Sequence, residues 1–200
     1  MKNFLIVFLT FYFFPAVAHP SWGIVVDGKG NIIFSDLVHI WQITPGGKLE
    51  KRIANHHTHE LYLDQKGFLW GTDSDYTEAT DLWRNRLWKQ SPDGQLSDAI
   101  PWVEGFEQFG GSNFVVDEMG DVYFPFQNQL YKRTSGGEVS LRSDFTFGRL
   151  CTIAADGKGN ILVSDSHEDG SLYRVGKEGA VELIAGNLKE QNPKNPPLEE

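Results

Sequence analysis

Asn55-His56-His57-Thr58-His59-Glu60 packs four groups that can bind a metal or move a proton into one short stretch. Three of the chain's six histidines fall here. His57 and His59 stand two apart, so on an extended strand their side chains share a face. Such a pair can work as a base and proton relay or as metal ligands, and Glu60 adds a carboxylate within reach of either role. The competing reading is a polar surface loop whose histidines are merely hydrogen-bonded, and the stretch alone supports both.

Four further groups could join this chemistry. Asp73-Ser74-Asp75-Tyr76, followed by Glu78 and Asp81, spaces carboxylates as a hard divalent cation would require, Ca²⁺ foremost. Against that, Asp36, Asp73 and Asp165 recur at one place in the repeat described below, which suits a turn residue bonding backbone amides. Ser112-Asn113 and Cys151-Thr152 open two later units, with Asn113 a further oxygen donor and Cys151 expected as a small buried residue. Trp41, Trp70 and Trp88 fall inside strand patterns and should pack between layers. Trp83 and Trp102 lie in longer connections, where they could stack on a sugar or another planar ligand. The sequence contains no phosphate loop, paired C-x-x-C, G-x-S-x-G or H-E-x-x-H motif.

The elements that must hold these residues repeat. Asp27-Gly28-Lys29-Gly30-Asn31-Ile32 is spelled again as Asp156-Gly157-Lys158-Gly159-Asn160-Ile161, with looser copies at Asp64-Gln65-Lys66-Gly67-Phe68 and Asp117-Glu118-Met119-Gly120-Asp121. Short apolar runs flank each copy, which predicts a β-hairpin around a glycine-bearing turn. A second hairpin follows in each unit. Ile40-Trp41-Gln42-Ile43-Thr44-Pro45-Gly46-Gly47 aligns with Leu87 to Gly94, Leu130 to Gly137 and Leu172 to Gly179. The leading aspartates stand 37, 53 and 39 residues apart. Four antiparallel strands per unit of this length predict an all-β propeller with blades over about 22–53, 60–100, 112–142 and 151–184. In that geometry the A–B and C–D turns share one plain face. All length variation falls on the other face, which is where function is expected.

D-G-K-G-N-I-x-x-S-D followed by I/L-[WY]-x-[IV]-x-P-G-G-K resembles the NHL-repeat and gluconolactonase/regucalcin-type six-bladed propellers across about residues 22–186. The resemblance implies a ring of six blades, so the chain is expected to be a C-terminally truncated part of one, or else a compact four-bladed ring. Residues 187–200 would be a polar tail or the approach to a further blade. It also implies a divalent cation over the central channel, held by a Glu opening the first blade, an Asn midway and a later Asp. Here the first blade opens His19-Pro20-Ser21-Trp22 with no Glu, while Asn113 stands for the middle ligand. Propellers of this kind host lactonases, other hydrolases, lyases and binding scaffolds.

Lys2, the apolar run Phe4–Phe14 and Pro15-Ala16-Val17-Ala18 read as a signal peptide cut after Ala18, which predicts a secreted or periplasmic protein with no membrane insertion after cleavage. A formal charge of −9 disfavours nucleic acid and anionic membrane surfaces as partners. One cysteine allows no internal disulfide, so packing must stabilise the fold. Two functions follow. One is a metal-assisted hydrolase of lactones or related esters, with His57 and His59 as base or relay and Glu60, Asn113 and Asp73 holding the cation. The other is a non-catalytic platform whose loop-rich face, with Trp83 and Trp102, grips a carbohydrate, another small ligand or a protein.

Overall fold

The D-x-x-G stretches form aspartate-capped turns in all four units, the fourth differing in that Gly157 also takes a positive φ, of 73°. The side chain of Asp27 accepts hydrogen bonds from the amides of Lys29 and Asn31, both at 2.9 Å. Asp64, Asp117 and Asp156 do the same for the amides two and four positions on. Gly30, at φ +78°, supplies the left-handed residue that closes the turn, as Gly67, Gly120 and Gly159 do in the other copies. The repeat is thus a local device that fixes where every innermost strand ends.

In this computed structural model, residues 23–111, 113–167 and 170–188 are described; the signal-peptide expectation and most of the polar tail lie outside them. The first sheet comprises β1 (Ile24–Val26), β2 (Ile32–Ser35), β3 (Ile40–Ile43) and β4 (Leu49–Ile53). The second has β5 (Thr58–Leu63), β6 (Leu69–Thr77), β7 (Leu82–Gln90) and β8 (Leu96–Glu104). β9 (Val115–Val116), β10 (Val122–Phe126), β11 (Gln129–Arg133) and β12 (Val139–Leu141) form the third. The fourth has β13 (Leu150–Ala155), β14 (Ile161–Asp165), β15 (Ser171–Val175) and β16 (Val181–Gly186). Each sheet is antiparallel in sequence order, and the four are blades of a β-propeller with no helix among the described residues.

The core lies between blades. Ile33, Ile40 and Ile53 of blade one meet Leu61, Leu69 and Trp88 of blade two. Trp70, Leu87 and Ile100 of blade two meet Phe114, Val116, Val122 and Phe124 of blade three. Val115, Tyr123 and Leu130 of blade three meet Ile153, Ile161, Val163 and Val175 of blade four. Trp70 and Trp88 therefore pack between blades as expected, whereas Trp41 stays half exposed. No buried cluster among the described residues joins blade four to blade one.

The long B–C connection of blade two differs from expectation. It is not a loop over Asp73–Asn85 but an extension of the β6–β7 hairpin, paired without a break from Leu69↔Gln90 to Thr77↔Leu82. Cross-strand partners hold it. Arg84 binds the Asp75 carboxylate through Nε and Nη2 at 3.0 and 2.6 Å, and the Tyr76 and Trp83 rings meet at 5.2 Å.

Candidate functional site at the loop-rich channel mouth

β5 carries the residues of chemical interest and is irregular where they sit. Thr58 pairs with Asp73 but Leu61 with Gly71, so one extra residue is accommodated between them. This β-bulge lets Thr58 and Leu61 both turn toward blade one, where each is buried. Glu60 and Tyr62 point the other way. The Glu60 carboxylate accepts a hydrogen bond from the Asn113 amide, and the Tyr62 hydroxyl donates to the Val116 carbonyl at 3.1 Å. His57 and His59 come together, their Nε2 atoms 2.8 Å apart and their ring centroids 4.7 Å apart.

His57, His59, Glu60 and Asn113 line a cavity of about 1040 Å³ at the channel mouth, with Ser74, Tyr76, Arg86 and Cys151 also in its wall. Burial pushes the Glu60 carboxyl up to about 7 despite the opposing bond from Asn113. A carboxyl in that range can either take or give a proton near neutrality. Cys151, expected to be buried, is instead exposed in this wall, its thiol donating to Ser166 Oγ at 2.9 Å. The strand-A position it occupies faces the open channel mouth and not a neighbouring blade.

The three residues expected to hold a cation line one cavity, but the side chains of two of them are engaged by protein groups. Asp73 Oδ1 accepts from Thr58 Oγ1 at 2.8 Å and Trp88 Nε1 at 3.1 Å. Its Oδ2 accepts from Arg86 Nε at 2.8 Å and Nη2 at 2.6 Å, with His56 Nδ1 3.4 Å away. Burial would raise this carboxyl, but the His56, Arg86 and Thr58 groups outweigh it and hold it below the ordinary value. Both oxygens are committed. The Asn113 amide is committed too: Nδ2 donates to the Cys151 carbonyl at 2.7 Å, while Oδ1 accepts from the Ile153 amide at 3.1 Å. Asn113 therefore staples blades two, three and four, at a positive φ of 57°. Among the described residues no three His, Cys, Asp or Glu side chains are grouped to hold a metal ion. The residues present do not fit the expected cation set.

The two tryptophans expected to grip a ligand both line this cavity, with different neighbours. Trp83 faces Tyr76 and Phe106, with ring centroids at 5.2 and 6.5 Å. Trp102 lies against the guanidinium groups of Arg84 and Arg86, at 4.8 and 5.0 Å. Arg84 and Trp83 are consecutive in β7, so the two tryptophans occupy opposite faces of the hairpin. The aromatic wall is Tyr76, Trp83 and Phe106, and only its tryptophan was singled out in sequence. Alternation along Asp75-Tyr76 and Trp83-Arg84 is the signal that could have found Tyr76.

A second cavity, of about 830 Å³, opens at the plain end. Turn and strand residues line it, and its turn aspartates Asp64 and Asp117 are committed to their own turns. Asp64, for example, accepts from the Lys66 and Phe68 amides and from Trp70 Nε1. The titrating chemistry lies at the other mouth.

No family model matches this chain, and no curated protein matches it in sequence. Solved structures do match its fold. A streptogramin B lyase superposes with a TM-score of 0.57 at 16% identity, over 84% of this chain and 55% of that one. A gluconolactonase from Xanthomonas campestris gives 0.57 at 13% identity, over 82% and 61%. A protein of unknown function from Bacteroides thetaiotaomicron gives 0.57 at 13%, over 84% and 44%. The chain spans about half the length of the first of these. At such identities the likeness concerns architecture alone, and by it this chain is a β-propeller.

Proposed function

We propose that this chain is an exported propeller of the NHL and gluconolactonase type that hydrolyses a lactone or related ester at its loop-rich mouth. The observation that carries the reading is the convergence on one cavity of a half-buried carboxyl, Glu60, and a contacting histidine pair, His57 and His59. Glu60 as carboxylate takes a proton from water, which adds to the ester carbonyl. The departing ring oxygen receives its proton from the histidine pair, which lines the same cavity. Because Asn113 and Asp73 are committed elsewhere, no step is assigned to a metal. Tyr76, Trp83 and Phe106 form the wall against which the flat part of the substrate rests.

Assay of the released protein on a lactone panel tests this. Glu60→Gln should lower turnover by about 100-fold or more, the usual contribution of a positioned acid or base, and His57→Ala/His59→Ala should do likewise. The reading fails if the wild type opens no ester or if Glu60→Gln retains full turnover. A second reading, the non-catalytic platform, draws on the exposure of Tyr76 and Trp83 on the projecting hairpin and of Phe106 beside Trp83. It would be favoured by a carbohydrate or other ligand that quenches Trp83 fluorescence without being consumed.

A further inference from the structure

Because the blades repeat, each interface position can be matched from blade to blade. The three residues before the turn aspartate are Ile24-Val25-Val26, Leu61-Tyr62-Leu63, Phe114-Val115-Val116 and Ile153-Ala154-Ala155. In blades two to four the first of each trio packs against the preceding blade: Leu61 is 6% exposed, Phe114 2% and Ile153 7%. Their counterpart Ile24 is 65% exposed, and Val26, which matches buried Val116, is 61% exposed. Ile32 matches Leu69, Val122 and Ile161, all buried, yet it too is exposed. The register places Ile24 beside Phe34, Val26 beside Ile32, and Phe34 beside Trp41. These side chains make one apolar face with nothing against it among the described residues.

Blade four shows the complementary half. Ile40, Leu87 and Leu130 each sit fully buried against the following blade, while Leu172 at the matching position is half exposed. Ile33, Trp70 and Tyr123 are buried, and their counterpart Leu162 is half exposed. Arg174, paired with Leu162 across the strands, is neutralised by Glu182 at 2.7 Å, so no unpaired charge opposes covering this face. Blade one thus carries the open near half, and blade four the open far half, of the interface the chain already makes three times.

We propose that a second copy of this chain covers these faces head to tail, blade four of one copy packing on blade one of the next. The argument is continuity: the surface that fits the far face of a blade here is the near face of another such blade, and a second copy presents one uncovered. The two faces use alternate strand positions and are not alike, so the contact is heterologous and not a face meeting itself.

Sedimentation equilibrium on the full chain, as released by its expression host, tests this with Ile24→Arg and Leu172→Arg. The wild type should show two or more copies, and each variant alone should run at the mass of a single chain. An equimolar mixture of the variants should regain a two-chain species, because each keeps the half the other lost; that recovery also shows both are folded. A single-chain wild type at all concentrations overturns the proposal and leaves the faces to further blades in cis. Loss of association in Ile24→Arg but not in Leu172→Arg also overturns it, showing blade one meeting itself. So does a mixture that fails to recover.

Discussion

Glu60 is poorly solvated, and a carboxyl so placed keeps its proton to a higher pH than it does in water. Its folded value of about 7 lies above the ordinary 4.5, so the folded state binds the proton more tightly than the unfolded chain. Stability from this group is therefore complete below about pH 4.5 and is lost as the pH rises through about 7. Glu60→Gln removes that dependence. In urea denaturation the variant should match the wild type near about pH 4 and exceed it by up to about 3 kcal/mol near about pH 8. A gap that does not grow with pH would contradict the burial argument. Part of this site was legible in the residues themselves: two-residue spacing brought His57 and His59 into contact as expected. The titration of Glu60 was not, since it depends on burial that only the packed blades create. Nor was the commitment of Asp73, whose turn-residue reading foresaw backbone amides where Thr58, Trp88 and Arg86 side chains donate instead.

Among the elements, the hairpin turns were the most legible because they are local: one aspartate, one glycine and a few short-range hydrogen bonds specify each. The bulge in β5 was not, because an extra residue in a strand leaves no mark until its partner strand is known. The extended β6–β7 hairpin was mistaken for a loop because its residues are polar and charged. Their pairing across the hairpin supplies the stability that an apolar pattern would have advertised. Gly71 shows how tightly blade two is built around these features. It lies opposite Trp88, and a Cβ there would stand 2.2 Å from the indole Cζ2. Gly71→Ala should cost about 1–3 kcal/mol or more by overpacking, with the thermal midpoint as readout. Gly28→Ala, where a Cβ meets nothing, is the control and should change the midpoint little. Equal effects would mean that the indole does not occupy the space above Gly71.

At the scale of the molecule, the propeller brings three blades to one mouth and so joins residues that sequence distance separates. Blade two supplies Glu60 and the histidines, blade three the Asn113 amide that meets Glu60, and blade four the Cys151 carbonyl that fixes Asn113. The repeat foretold this architecture, and the face with variable connections is the one that holds the titrating groups. The central claim is that this convergence makes Glu60 an acid–base group working near neutrality. The most direct test is the pH titration of the Glu60 side-chain carboxyl by ¹³C NMR, its resonance identified by its loss in Glu60→Gln. The account predicts a midpoint at about 7. A midpoint at the ordinary 4.5 would contradict it.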